Sequence, residues 1–220
     1  RSSDLTSFAT TDKLGKLQYA APWVNFKCDR TQCGGRSTLG YDDEGVPSQD
    51  WYVVKDGILV DYLTDRETAY RLGNASSNGC AYADSWSSVP MVRIPNLGLE
   101  PGAEGGSHSA TLAEMIAETE EGILIDGRGS FSIDQQRRNF QFGGDAFWKV
   151  EKGKVVGMLK DVTYHSMSTD FWNSVDAIGV ASEQEQFGTH MCGKGQPIQI
   201  AQMTHACVPV RVRNIQIGGS

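Results

Sequence analysis

Trp51-Tyr52-Val53-Val54-Lys55-Asp56-Gly57-Ile58-Leu59-Val60-Asp61-Tyr62-Leu63 is the stretch that sets the fold class. Two runs of branched and aromatic residues flank Asp-Gly, which supplies the positive φ angles of a tight hairpin turn, so two antiparallel strands are predicted. The same design returns at residues 146–150 and 155–159 around Glu151-Lys152-Gly153-Lys154. The two hairpins resemble each other weakly, and an internal repeat is the lesser reading because β-hairpins are alike in composition. Farther on, residues 198–203 and 208–217 alternate apolar and polar positions as half-buried strands do. The 25 glycines supply many turns. The expected fold is α+β and β-rich, a mostly antiparallel sheet curled toward a barrel, with few helices.

Between the hairpins, Thr111 and Glu114 have the spacing of a capping box, and Leu112, Met115, Ile116 and Thr119 fall on one face. Gly122 stands where a C-cap glycine belongs, so a helix is predicted over 111–121. Weaker helical patterns cover 62–72, ending at Gly73, and 168–175. Residues 1–35 are polar and glycine-punctuated, with one apolar cluster at 19–26; they read as an irregular lead-in to a domain over 36–220. A chain that opens on Arg1 is expected to be a piece of something longer.

The 27 acidic and 20 basic residues leave a formal charge of -7, and no basic run exceeds Arg137-Arg138, which argues against nucleic acid as a partner. No apolar run approaches the roughly 20 residues that span a bilayer, and the first residues do not form a signal peptide, so no membrane partner is expected. Five cysteines, an odd number in a chain too large to need stapling, point to a reducing compartment, and the cytoplasm is the expected location.

Two His-x-Cys pairs, His190/Cys192 and His205/Cys207, would each present a nitrogen and a sulfur on one face of a strand. Were the strands neighbours, a closed His2Cys2 structural zinc site is conceivable, although the short Cys-x2-Cys spacing of zinc knuckles is missing. Cys207, between Ala206 and Val208, is most simply a small core residue. Cys192 differs, because Cys192-Gly193-Lys194-Gly195-Gln196-Pro197 surrounds it with glycines that let a backbone or a metal approach. The competing reading is a turn cysteine without a role. No pattern positions a histidine for a thiol protease. Asp42-Asp43-Glu44-Gly45 lacks the alternating ligands of a calcium loop and reads as a solvated turn.

Taken in order, Gly40-Tyr41-Asp42-Asp43-Glu44-Gly45-Val46-Pro47, residues 53–59, Arg93-Ile94-Pro95-Asn96 before Pro101-Gly102, residues 121–126, 147–154 and 175–179, and Met191-Cys192-Gly193-Lys194-Gly195-Gln196 resemble the C-terminal region of the TldD/PmbA family. The resemblance covers roughly residues 36–219. It implies the C-terminal half of a zinc-dependent peptidase that hydrolyses flexible or unfolded peptides. In that family a His-Glu-x-x-x-His helix from the preceding half supplies two histidines and the catalytic glutamate, and the cysteine of the Cys-Gly-Lys string supplies the third zinc ligand. Cys192 matches that position, and His190 is a candidate substrate contact beside it. None of the four histidines here lies in such a string, so this chain alone is expected to be inactive. The resemblance also implies a homodimer or a paralogous partner subunit around a peptide chamber. The alternative is a non-catalytic partner subunit that binds peptide through strand pairing without hydrolysis. Asp42, Asp43, Glu44, Arg93 and Asn96 are expected to be structural.

Overall fold

The computed structural model describes residues 7–218. Strand β1 (Phe26–Asp29) is followed by β2 (Asp50–Lys55) and β3 (Ile58–Leu59), whose turn places Asp56 at φ 50° and Gly57 at φ 75°. Helix α1 (Arg66–Leu72) starts at Asp65, which exchanges hydrogen bonds with Thr68, and stops at Gly73 in the left-handed region; residues 62–65 stay outside the helix. Two short strands, β4 (Ala81–Tyr82) and β5 (Met91–Val92), pair with each other, and β6 (Leu97–Leu99) follows.

The predicted capping box forms as expected in α2 (Leu112–Ala117), but the helix ends at Glu118, short of Gly122. Gly122 instead lies in β7 (Glu121–Asp126), opposite Val150 of β10 (Ala146–Glu151), and the Thr119 hydroxyl donates to the Met115 carbonyl at 2.7 Å. Ladder bonds to a buried strand thus replace one further helical turn. Strands β8 (Phe131–Ile133) and β9 (Asn139–Phe142) precede β10, and the second hairpin closes with β11 (Lys154–Leu159). After β12 (Thr163–Met167), α3 (Ser168–Asn173) is shorter than its pattern because Val175 opens β13 (Val175–Ile178). The chain ends in a long ribbon, β14 (Glu185–Lys194) with β15 (Gln199–Cys207), then β16 (Val210–Val212) and β17 (Gln216–Gly218). Asn214, at φ 57°, breaks the predicted run over 208–217 so that its halves join different partners, β13 and β12.

Every pairing between named strands is antiparallel, in the orders β3-β2-β1-β6, β11-β10-β7 and β17-β12-β9-β8, with the pairs β13-β16, β14-β15 and β4-β5. The fold is β-rich with few helices, and among the described residues the strands form separate antiparallel sheets, none of them a closed barrel. The stretch read as an irregular lead-in is not wholly irregular. Its β1 lies between β2 and β6, and Ala20, Ala21 and Val24 pack with Leu99, Val175, Ile178 and Val208 in one core cluster. Asp176 then ties β13 to β16 by accepting from Arg211 and Arg213; burial pushes its carboxyl up, but those two hydrogen bonds win and hold it below its ordinary value. Among the described residues no helix is long and apolar enough to cross a membrane.

Candidate functional site

The β14–β15 ribbon carries both His-x-Cys pairs, and its register decides what they can do. Thr189 faces Met203 and Cys192 faces Ala201, so β14 has one residue more than β15 across that interval. The bulge keeps Thr189 and Cys192 on the face of Ala201 and Met203, both buried, and turns His190 and Met191 out with exposed Gln202. The alternation that would have put His190 beside Cys192 is therefore broken, and His190 is an exposed side chain on the other face. His205, on the inner face, uses Nδ1 in a 3.0 Å contact with the Leu97 carbonyl. Cys207 sits opposite Glu185, six positions along β15 from the partner of Cys192, or about 20 Å at ~3.4 Å per residue. The two pairs do not converge on one metal. Among the described residues no group of three or more His, Cys, Asp or Glu side chains is arranged to hold one.

Burial sorts the cysteines. Cys28 and Cys80 are 0% exposed. Burial raises the Cys28 thiol far above its ordinary value, and it pushes Cys80 up to about 12 despite the opposing charge of Arg30. Cys207 is raised by burial and then by Glu185. Cys33 is exposed in a glycine turn, and Cys192 is half-buried. A metal ligand needs a reachable thiol on a fixed backbone; of the five cysteines, Cys192 is half-buried and has its carbonyl held by a side chain from another segment.

Its backbone is tied to β5 and the residue after it by two side-chain hydrogen bonds, one from each segment. Arg93 Nη2 donates to the Cys192 carbonyl, and Lys194 Nζ donates to the Val92 carbonyl at 2.9 Å. Gly193 passes beneath Ile198, where a Cβ would come within 2.5 Å of Cδ1, and Gly195, at φ +88°, would bring a Cβ within 2.7 Å of Met91 Cε. What comes close to these two glycines is thus a side-chain end, Ile198 or Met91, and not the backbone or metal that the sequence suggests. Lys194 is engaged with a carbonyl of a distant segment. Arg93 is structural, as its sequence context suggests, but its attachment to Cys192 spans 99 residues and is invisible to any local pattern.

The acidic loop is committed to the backbone. Asp42 accepts from the amides of Glu44, Val46 and Ala81, Asp43 from Ala83, and Glu44 from Arg66 at the start of α1. Asn96 is 1% exposed with its amide fully used: Oδ1 accepts from the Ser37 and Thr204 amides, and Nδ2 donates to the Asp29 carbonyl and Thr38 Oγ1. His108 stacks on Trp23 with ring centroids 3.5 Å apart, and its Nδ1 lies 3.1 Å from the Asp176 carbonyl.

Comparison with known proteins places this geometry in context. The family model for the PmbA/TldA metallopeptidase C-terminal domain matches residues 3–219. A metalloprotease TldD homolog of Haemophilus influenzae is 29% identical over 211 residues, which cover 96% of this chain and 41% of that protein. A metalloprotease of Methanocaldococcus jannaschii is 30% identical over 190 residues, 86% of this chain and 40% of its own length. Among solved structures, TldE from Thermococcus kodakarensis superposes with a TM-score of 0.74 at 20% identity, over 98% of this chain and 44% of that one. A putative modulator of a DNA gyrase from Thermotoga maritima gives 0.73 at 21% identity, over 98% and 43%. At such identities the structures speak for the fold. The chain spans about two fifths of the length of the curated relatives it matches.

Proposed function

The chain belongs to the PmbA/TldA metallopeptidase family, and we propose that it is the C-terminal part of a zinc-dependent peptidase acting on flexible or unfolded peptides, to which it contributes Cys192 as a metal ligand and part of a peptide-binding wall. The observation that carries this reading is the setting of Cys192: a half-buried thiol on a main chain pinned by Arg93, in the string that resembles the family's ligand segment. The relatives named metalloproteases support a metal cofactor.

One thiolate fits one ligand position, and the rest of the set must come from elsewhere. His108 stacks on Trp23, His165 lies in β12, His205 contacts Leu97, and His190 faces outward. The family resemblance implies that two histidines and the catalytic glutamate come from a His-Glu-x-x-x-His helix outside this chain. Zinc held by three protein ligands would polarise the scissile carbonyl and bring a bound water toward a pKa of about 7. Within this chain, Cys192 binds, Arg93 and Lys194 fix the segment that presents it, and the ribbon beside it forms wall. A second copy or a paralogous subunit would close the peptide chamber.

The test is zinc content and chelator-sensitive peptidase activity of the full-length protein from the reading frame that contains this chain. Cys192→Ser is expected to lower both sharply, whereas His190→Ala leaves zinc content unchanged. Full zinc occupancy in Cys192→Ser would sink the ligand assignment. A full-length protein that lacks the His-Glu-x-x-x-His helix and binds peptide without cleaving it would identify a non-catalytic partner subunit instead.

A further inference from the structure

Segment Met91–Arg93 and segment Cys192–Gly195 run past each other without forming a strand ladder, yet they are joined at successive positions. Met91 packs where a Gly195 side chain would stand, Lys194 Nζ reaches the Val92 carbonyl at 2.9 Å, and Arg93 Nη2 reaches the Cys192 carbonyl. Residue 91 meets 195, 92 meets 194 and 93 meets 192. That is the order of an antiparallel pair, with side chains doing the stitching that backbone amides do elsewhere.

Arg93 is the unusual member. It is 4% exposed, its Nε is buried without a hydrogen-bond partner, and among the described residues no carboxylate pairs with it. A buried guanidinium without a carboxylate is unfavourable for folding, and an apolar side chain of similar length would serve packing better. Its backbone is fixed in turn, because the Arg93 amide donates to the carbonyl of fully buried Cys80 at 2.9 Å. The guanidinium thus connects a rigid interior to the carbonyl of the residue that carries the thiol.

Resting on the reading of Cys192 as a metal ligand, we propose that Arg93 is a positioning residue: it fixes the Cys192 main chain, and so the direction of the Cys192 thiol, with Lys194 as the reciprocal tie. A ligand contributed from one segment to a centre completed by another must arrive in register, and groups that orient a ligand typically change metal affinity 10- to 100-fold when removed. The stitched segment supplies that register before any metal arrives.

The experiment uses the full-length protein loaded with cobalt(II), read by the thiolate-to-cobalt charge-transfer absorption, and with zinc, read by competition against a chromophoric chelator. Cys192→Ser is expected to abolish the absorption. Arg93→Met is expected to shift or weaken it and to lower zinc affinity about 10- to 100-fold, with Arg93→Lys between. A role confined to stability would lower the melting midpoint while leaving the spectrum of the folded protein intact. If Arg93→Met does not fold, Arg93→Lys and Lys194→Met carry the test, each with a smaller loss in the same direction. Wild-type spectrum and affinity in the folded Arg93 variants overturn the proposal while leaving the ligand assignment standing. An unchanged Cys192→Ser removes the assignment itself, and the two failures are thereby told apart.

Discussion

Asn96 shows how a single side chain organises this molecule. Its amide joins four groups at three separated places: Asp29 after Cys28 in β1, Ser37 and Thr38 in the following loop, and Thr204 in β15. Gly35 lies so close that a Cβ there would come within 2.4 Å of Asn96 Nδ2, which explains a glycine at a position with no unusual φ. Replacing Asn96 by Leu takes a hydrogen-bond partner from the buried Thr204 amide and from the part-buried Ser37 amide and Asp29 carbonyl, each worth about 1–3 kcal/mol. A loss of about 3 kcal/mol or more is expected, measured by urea denaturation at unchanged slope, and a loss under about 1 kcal/mol would show that the loop relaxes around the gap. At this scale the sequence was readable where chemistry is local. The glycines around Cys192 suggested the approach of a backbone or a metal, and what the structure packs nearest Gly193 and Gly195 is a side-chain end, Ile198 Cδ1 and Met91 Cε. The placement of His190 was not readable, because one extra residue in β14 reverses a face, and a bulge of this kind leaves no mark in the residue pattern.

Among the elements, the two hairpins were legible because their turns are encoded in two residues. Asp56-Gly57 and Lys152-Gly153 adopt nearly the same left-handed pair, with φ 50° and 75° in the first and 49° and 74° in the second. They differ in how comfortable the first residue is, since Asp tolerates that region by local hydrogen bonding and Lys has no such compensation. Lys152 is exposed, and only its backbone is used, donating to the Glu120 carbonyl at 2.7 Å. Lys152→Asn is therefore expected to stabilise the chain by about 0.5 kcal/mol or more, raising the melting midpoint by about 1–3 °C. Gly153→Ala is expected to act in the opposite sense, because a Cβ there would lie 2.5 Å from the Ala117 carbonyl as well as at positive φ. A lower midpoint for Lys152→Asn would mean that its side chain matters more than its backbone strain. The end of α2 was less legible: Gly122 has the appearance of a cap, and only pairing with β10, 24 or more residues later, recruits it to a strand.

For the molecule as a whole, the largest difference from the sequence reading lies in residues 1–35, and it has a physical cause. Residues 19–26 are apolar without either period, so neither helix nor strand is signalled, yet Ala20, Ala21 and Val24 are 0–2% exposed in the cluster that holds Val175, Ile178 and Val208. Strand β1 is four residues long, too short to stand out in a sequence, and it is placed by partners on both sides: Cys28 faces Trp51 on β2 and Leu97 on β6. The early and late parts of the chain thus complete one core. Removing residues 1–35 would separate β2 from β6, strip three buried side chains from that cluster and take away Arg30, which holds the Gly79 carbonyl from the interior. Loss of cooperative thermal unfolding and of near-ultraviolet circular dichroism is expected for a chain beginning at Arg36, in contrast to the result expected of a detachable leader. A truncated chain that melted cooperatively within a few degrees of the intact one would show that the stretch can be removed and that the core closes without β1.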